Sequence, residues 1–278
     1  MEALKTIYGS DSDDDADDGE PPMNGVEFKE VSPLPPPPLA LLQVPKFNDT
    51  SAAPGASRIR SFPHVVGNYA LHVYVPVLIP PMVKKQLVLF VKRIAPVIPS
   101  LYVVDADIPV SELSKDDEKL EKVLLGREFH ISLGRTVPIG VHQIDSVVAM
   151  LRQKFLSQRR YIIEFSKWDA FVNDEQTRSF LSLEVLGRGL SELTKQIKLV
   201  DDVYKLHGLP EFYKNPRPHI SLLWTLGNIS DMLKKTVERL DRSQSNARNS
   251  RAIFFCKFNG IECKIGKKTY NICKSVDG

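Results

Sequence analysis

Cysteine is scarce in this chain of 278 residues, which contains three: Cys256, Cys263 and Cys273. An odd number without a C-x-x-C spacing argues against a disulfide framework and against a cysteine-based zinc site. We expect three reduced thiols in or near a sheet at the C-terminal end.

Long apolar runs are missing as well, because no stretch approaches the roughly 18 apolar residues of a membrane span. The first residues, MEALKTIYGSDSDDD, are acidic where a signal peptide is basic and then apolar. With 42% hydrophobic and 26% charged residues, the composition is that of an ordinary soluble protein. We expect the chain to stay in the cytosol or nucleus, without a membrane partner.

Basic residues are rare only at the beginning of the chain. Residues 1–57 hold eleven acidic residues and three lysines, a net charge of −8, and nine of the twenty prolines. Such a segment buries too little apolar surface to offset the entropy of ordering, so we predict a disordered acidic, proline-rich segment. Residues 58–278 carry a net charge of +11 and form the predicted globular domain. This charge fits a polyanionic partner such as RNA.

Strand-like and helix-like patterns alternate through the predicted domain. Residues 70–77, ALHVYVPV, predict a strand, and residues 82–95, 190–206 and 231–240 predict amphipathic helices. The stretch AIFFCKFNGIECKIGKKTYNIC predicts a closing hairpin with Asn259-Gly260 as its type I′ turn. The pattern predicts an α+β fold of two pseudo-symmetric lobes, each an antiparallel sheet backed by helices, on either side of a central groove.

Histidine is also scarce, with six in the chain, yet the motif His-Ile-Ser-Leu-x-x-Thr occurs at residues 130–136 and again at residues 219–225. Side chains on a strand alternate between its two faces. His130 and Ser132 should therefore point one way, and the aliphatic residues beside them should point into the core. His219 and Ser221 should do the same in the second lobe.

The last residue of each motif, Thr136 or Thr225, lies six positions after its histidine. Counting by twos along a regular strand places both threonines on the histidine face.

Two such strands across a groove would bring two imidazoles and two hydroxyls into one space. Near neutral pH one imidazole can be neutral and the other protonated, so one accepts a proton while the other donates one. Serine hydroxyls can donate hydrogen bonds to phosphate oxygens where charge develops. RNA supplies its own nucleophile, the 2′-hydroxyl, so neither a metal nor a protein nucleophile is required.

Other interpretations fit the pattern less well. A single His-Ile-Ser on a strand is more often a packed or surface histidine. Two isolated histidines without Asp, Glu or Cys at ligand spacing make a poor zinc site. A Ser-His hydrolase usually has a G-x-S-x-G nucleophile elbow, which is absent from this sequence. The duplication, with one copy in each half, favours a paired site.

The two motifs, one in each half, resemble those of the 2H phosphoesterase superfamily and, within it, the family of U6 small nuclear RNA phosphodiesterases. The resemblance extends to YGSDSDDD, RIRSFPHVVGNYALHVYVP, EFHISLGRT, TRSFLSLEV and FYKNPRPHISLLW. It covers residues 58–275. Where that family often has Trp before the first strand, this sequence has Tyr69, which we interpret as a tolerated aromatic exchange.

The resemblance implies a metal-independent 3′-to-5′ RNA exonuclease without a cofactor, which trims the oligo-uridine tail of U6 small nuclear RNA in the nucleus. His130 and His219 would be catalytic, Ser132 and Ser221 would bind phosphate, and Tyr213 would stack on the terminal base. The 2′-hydroxyl of the penultimate nucleotide would attack, giving a nucleoside 5′-monophosphate and an RNA end with a 2′,3′-cyclic phosphate, which some relatives open. DNA is not an expected partner, and a monomer is expected.

Several alternatives stay open at this point. His219 is taken as the general base and His130 as the general acid, but pseudo-symmetry makes the exchange of roles nearly as plausible. The chain could instead hydrolyse a cyclic phosphate or a 2′,5′ linkage, as other 2H enzymes do. It could also be an RNA-binding module without chemistry, using its basic domain.

Overall fold

A computed structural model describes residues 65–242 and 252–274 of the protein. The predicted disorder of residues 1–57 and the predicted boundary at Arg58 lie outside the described residues. Within the described ranges, no helix is both long and apolar enough to cross a membrane.

Strands and helices alternate along the described chain, as predicted. The strands are β1 (Asn68–Val77), β2 (Tyr102–Val103), β3 (Phe129–Ser132), β4 (Val137–Gly140), β5 (Ile162–Val172), β6 (Arg178–Val185), β7 (His219–Leu226), β8 (Phe254–Lys257), β9 (Gly260–Ile265) and β10 (Lys268–Lys274). The helices are α1 (Pro81–Ile94), α2 (Val110–Leu113), α3 (Asp117–Leu125), α4 (Ile144–Lys154), α5 (Leu190–Leu206) and α6 (Ser230–Arg242).

The strands form two antiparallel sheets. The first sheet has the order β10-β9-β1-β3, with β4 also paired to β1, and the second has the order β2-β7-β6-β5-β8. The run β3-β1-β9-β10 in the first sheet corresponds to β7-β6-β5-β8 in the second, so each motif strand pairs with a long inner strand. The predicted α+β fold with two pseudo-symmetric antiparallel sheets is confirmed.

The sheets do not divide the chain into an N-terminal half and a C-terminal half. Strand β8 pairs with β5 in the second sheet, whereas β9 crosses to the first sheet and pairs with both β1 and β10. The hairpin predicted with Asn259-Gly260 as its turn is therefore wrong, because these residues join the two sheets. The hairpin is β9–β10, and it turns at Gly266, whose φ is 58°.

The three cysteines lie on these last strands, Cys256 on β8, Cys263 on β9 and Cys273 on β10, and all three are free thiols. The predicted position of the cysteines on strands at the C-terminal end is confirmed, although these strands belong to two sheets. Burial raises the pKa of the Cys256 and Cys263 thiols to about 12. Both are therefore protonated and unreactive at neutral pH.

A helix that follows a strand of one sheet in sequence can also pack behind the other sheet. Helix α1 follows β1 of the first sheet but packs on the second, where Phe90 stacks on Trp168 of β5 with ring centroids 4.3 Å apart. Helix α4 packs behind the first sheet, and its Arg152 Nε donates to the carbonyl of Asn271 on β10 at 3.2 Å. Each lobe therefore contains elements from distant parts of the sequence.

Helix α5 supports the end of the first motif strand through Tyr204. This side chain is fully buried, and its hydroxyl donates to the carbonyl of Arg135 at 3.2 Å. Gly134 lies against the same ring, and a Cβ atom at this position would be 2.8 Å from the Tyr204 hydroxyl and 2.9 Å from Cζ. The turn after β3 therefore needs a residue without a side chain.

We expect Gly134→Ala to lower the free energy of unfolding by about 1–3 kcal/mol, because the added methyl group overpacks a dense core. An alanine that fitted without strain would instead stabilise the protein by about 0.4–1 kcal/mol through the unfolded chain. Denaturant unfolding of the full chain distinguishes the two signs. An increase in stability would contradict the close packing between Gly134 and Tyr204.

Candidate active site

The repeated motif lies on β3 and β7, the strands that pair with the long inner strand of each sheet. Ile131 and Leu133 have no exposed surface, whereas His130 and Ser132, which alternate with them, are half-buried. The prediction that alternation separates a core face from a polar face on β3 is confirmed. The polar face of both motif strands is called the groove face below.

Strand β7 follows the same rule over its first four residues. Ile220 and Leu222 have no exposed surface, and His219 and Ser221 are half-buried. Burial of the aliphatic residues thus determines which way each imidazole and hydroxyl points.

The prediction for Thr225 is wrong. Ser182 of β6 pairs with Ser221, but the preceding residue, Leu181, pairs with Leu223, so Leu222 is an extra residue that forms a β-bulge. A bulge reverses the alternation beyond it. Thr225 is therefore buried and donates to Ser100 Oγ at 3.0 Å instead of lying on the groove face.

Thr136 lies after the end of β3, in the connection to β4, and is exposed. Strand alternation does not apply there, so its predicted position on the histidine face stays a prediction.

The first half of the site combines β3 with the inner strand β1. His72 Nε2 lies 3.0 Å from Ser132 Oγ, and the His72 ring meets the His130 ring edge-on with centroids 4.9 Å apart. Tyr74, two residues along β1, lies 5.6 Å from the His130 ring. His72 and Tyr74 therefore line one side of the motif residues in this half-site.

Acidic side chains lie next to this half-site. The Tyr74 hydroxyl donates to Glu262 Oε2 on β9 at 2.8 Å, and burial together with this bond raises the pKa of the phenol. Burial and the charge of Glu262 also raise the pKa of Glu128, the residue before β3.

The second half of the site holds His219 in a defined tautomer. His219 Nδ1 lies 2.7 Å from the carbonyl oxygen of Arg217, and a carbonyl only accepts, so Nδ1 carries the proton of the neutral ring. The imidazole stacks on Phe171 of β5 with centroids 3.7 Å apart. Its second nitrogen, Nε2, therefore carries a lone pair.

The pKa of His219 is lowered to about 4, mainly because burial disfavours the charged ring. The positive charges of Arg217 and His130 lower it further, while the hydrogen bond to the Arg217 carbonyl and the charge of Glu184 act in the opposite direction. His219 is therefore neutral near pH 7 and is able to accept a proton at Nε2.

Arg217 connects this half-site to two buried carboxylates. Its Nε donates to Glu184 Oε1 at 2.6 Å, and its Nη2 donates to Asp169 Oδ2 at 2.6 Å and to Glu184 Oε2 at 2.7 Å. Burial alone would raise the pKa of Asp169, but hydrogen bonds from Lys167, the Ala170 amide and Arg217 outweigh it and lower the pKa. The positive charge of Arg217 is thus largely neutralised within the protein.

Ser221 has a different partner from Ser132. Its Oγ lies 3.0 Å from the Ser182 hydroxyl on β6. One serine of the site is therefore bonded to an imidazole and the other to a hydroxyl.

The two half-sites meet where β3 and β7 lie beside each other, with Cα atoms of the two strands within 8 Å. The charge of His130 lowers the pKa of both His219 and His72, so His130 lies close enough to interact electrostatically with each of them. The structure thus brings His130, Ser132, His219 and Ser221 into one site, as the paired motif predicted.

Tyr213 lies in the connection between α5 and β7 and is 45% exposed. The guanidinium of Arg135 lies over its ring, 4.3 Å from the centroid. Arg135 Nη1 donates to Asp174 at 3.0 Å, and burial, together with the nearby Asp174, raises the pKa of the Tyr213 phenol. The ring is thus held in place, and a large part of it is open to solvent.

The residues His72, Phe171, Arg217 and Arg135 were not predicted from the sequence. A signal for His72 was present, because alternation along ALHVYVPV places His72 and Tyr74 on one face of β1. Phe171 has no comparable signal, because a bulge at Ser166 shifts the register of β5. Among the described residues, no group of three or more His, Cys, Asp and Glu side chains is arranged to hold a metal ion.

The solved structures to which this chain is similar have low sequence identity to it. Usb1 of Kluyveromyces marxianus is 11% identical, with a TM-score of 0.49 over 73% of this chain and 97% of that chain. Escherichia coli LigT in complex with 3′-AMP is 11% identical, with a TM-score of 0.44 over 73% of this chain and 93% of that chain.

Relatives with higher identity come from the comparison of sequences. U6 snRNA phosphodiesterase 1 of Xenopus laevis is 29% identical over 95% of this chain and 97% of that protein. The human protein of the same name is 26% identical over 95% of each. The resemblance to U6 small nuclear RNA phosphodiesterases is confirmed. The HVSL family, described as an uncharacterised conserved protein, matches residues 35–273, and the chain belongs to this family.

Proposed function

We propose that this chain is a phosphodiesterase that trims the 3′ oligo-uridine end of U6 small nuclear RNA in the nucleus, as a 3′-to-5′ exonuclease. The observation that carries the proposal is the neutral His219 imidazole, whose Nδ1 proton is bound by the Arg217 carbonyl, beside His130 on the facing strand. The curated relatives named U6 snRNA phosphodiesterase 1 support this substrate.

In the proposed reaction, His219 Nε2 takes the proton of the 2′-hydroxyl on the penultimate nucleotide. The 2′-oxygen then attacks the last phosphorus, and the bond from phosphorus to the 5′-oxygen of the terminal nucleotide breaks. His130 gives its proton to that 5′-oxygen. The negative charge of the bound phosphodiester favours protonated His130, so the pair starts in complementary states.

The atoms balance only if the phosphate stays on the shortened RNA as a 2′,3′-cyclic ester. The terminal nucleotide of a tail with free hydroxyls then leaves as a nucleoside with a 5′-hydroxyl. The nucleoside 5′-monophosphate expected above is therefore corrected, because a single phosphate cannot both stay and leave. Mass spectrometry of the RNA end and of the released product tests this step, including opening of the ring.

The hydroxyls of Ser132 and Ser221 would donate to the non-bridging phosphate oxygens, where negative charge increases in the transition state. Tyr213, held by Arg135, would stack on the terminal base, an interaction worth about 1–3 kcal/mol for any base. In this proposal the chain itself supplies the proton transfers and the phosphate contacts, without a metal or cofactor.

We expect His130→Ala and His219→Ala each to lower the single-turnover rate on oligo-uridine RNA by about 10²- to 10⁴-fold, because each removes one proton transfer. His142→Ala is the matched control, since His142 is exposed in the turn after β4. Unchanged product formation in both catalytic variants would favour an RNA-binding module without chemistry.

A single 2′-deoxy substitution at the penultimate nucleotide should abolish cleavage, because it removes the nucleophile. The same substitution at the terminal nucleotide is the control and should leave a readily cleaved RNA. Addition of EDTA to the unmodified RNA should not change the rate. Cleavage of the penultimate deoxy substrate, or activity only on a cyclic phosphate dinucleotide, would contradict the proposal.

The pH dependence of kcat/KM should show its acidic limb near pH 4 and not near 6.5, the ordinary pKa of histidine. His219 accepts a proton only when neutral, and its lowered pKa keeps it neutral down to about pH 4. Between these values the unfolded chain binds a proton that the folded chain does not, so stability falls as pH falls from 6.5 toward 4. The measured rates are therefore corrected for the fraction of protein that is folded at each pH. An acidic limb of kcat/KM that stays near pH 6.5 would argue against His219 as the buried base.

A further inference from the structure

His72 is a third imidazole at the site, outside both copies of the repeated motif. It lies on β1, where it is half-buried, and the backbone of Lys264 on β9 pairs with it. Burial lowers its pKa to about 3, and the charges of His130 and Lys264 add to this effect. A neutral imidazole is a far weaker acid than an imidazolium, so His72 does not replace His130 as the group that donates a proton to the leaving oxygen. It instead offers one N–H donor and one acceptor for hydrogen bonds.

The contacts of His72 involve both motif residues of the first half-site. Its Nε2 lies 3.0 Å from Ser132 Oγ, and its ring packs edge-on against His130 at a centroid distance of 4.9 Å and an interplanar angle of 84°. In the second half-site these two contacts are divided between residues. Phe171 packs on His219, and Ser182 contacts the Ser221 hydroxyl.

The single hydroxyl hydrogen of Ser132 restricts the direction of its hydrogen bond with His72 when phosphate is bound. A serine hydroxyl has one hydrogen and two lone pairs. If that hydrogen is donated to a phosphate oxygen, Ser132 Oγ is an acceptor toward His72, and His72 carries its proton on Nε2. The opposite tautomer would draw the hydroxyl hydrogen toward His72 and away from the phosphate.

We propose that His72 is a positioning residue whose Nε2–H donates to Ser132 Oγ and thereby directs the Ser132 hydroxyl hydrogen to the phosphate. The inference rests on the proposed function, since it requires Ser132 to contact phosphate. It assigns the two halves of the site different supports: an imidazole for Ser132 and a hydroxyl for Ser221.

The test compares His72→Phe with His72→Gln in single-turnover cleavage of oligo-uridine RNA by the full chain. Phenylalanine keeps a ring beside His130 but has no donor, and we expect a rate about fivefold to tenfold lower. Glutamine places an amide N–H close to the position of Nε2, so it should recover most of the rate. Thermal unfolding verifies that each variant is folded, and His72→Asn, whose shorter amide does not reach Ser132, replaces His72→Phe if the latter does not fold.

A double-mutant cycle separates positioning from a general structural role. In a Ser132→Ala background, His72→Phe should have no further effect, because the hydroxyl that it positions is gone. Ser182→Ala is the matched control, since Ser182 supports the serine of the other half. In the double variant, the rate losses caused by Ser182→Ala and Ser132→Ala should multiply.

The outcomes distinguish this inference from the function on which it rests. If Ser132→Ala cleaves at the wild-type rate, both the proposed phosphate contact and the role of His72 are overturned. If Ser132→Ala is slow but His72→Phe is as fast as wild type, only the role of His72 is overturned. If His72→Phe lowers the cleavage rate by the same factor in the wild-type and the Ser132→Ala backgrounds, His72 likewise acts on something other than this hydroxyl.

Discussion

The register between each motif strand and its inner strand is the constraint on which the site depends. Val75 pairs with Ile131 between β1 and β3, and Leu183 pairs with Ile220 between β6 and β7, and all four side chains are fully buried. A slip of one residue would expose these aliphatic side chains and turn the imidazoles into the core. Burial of each hydrophobic side chain is worth about 1.5–3 kcal/mol, so the hydrophobic core fixes the direction of the polar residues.

The two halves are similar in backbone and different in chemistry. Burial leaves His219 neutral, and the hydrogen bond to the Arg217 carbonyl places its free lone pair on Nε2. His130 lies close to Tyr74, which is bonded to Glu262, and to the neutral His72. Two copies of one motif can therefore have opposite proton-transfer roles, because the residues behind them differ. This difference favours His219 as the base, a choice that the symmetric sequence motif left nearly undecided.

The sequence was sufficient to predict the features that depend on local periodicity. Alternation predicted the groove face of β3 and the start of β7, and helical periodicity predicted α5 over the residues that it occupies. The predictions failed where a bulge adds one residue to a strand and where the strands that pair are far apart in the sequence. The bulge at Leu222 moved Thr225 into the core, and the return of β9 to β1 replaced the hairpin predicted at Asn259-Gly260. Local patterns contain no information about which distant strand becomes the neighbour.

The ion pairs of Arg217 explain why hydroxyls have such a prominent place in this site. A guanidinium two residues before a proposed catalytic histidine would ordinarily be a candidate for binding phosphate. Here Glu184 and Asp169 accept its hydrogen bonds at 2.6–2.7 Å, so its charge is already balanced. His72 and His219 are neutral at pH 7 as well. In the proposed function, phosphate recognition would then fall to neutral donors, Ser132 and Ser221, and to the proton that His130 would carry. A neutral donor contributes only if its hydrogen points at the oxygen, which is why the residues that orient the two hydroxyls matter as much as the hydroxyls themselves.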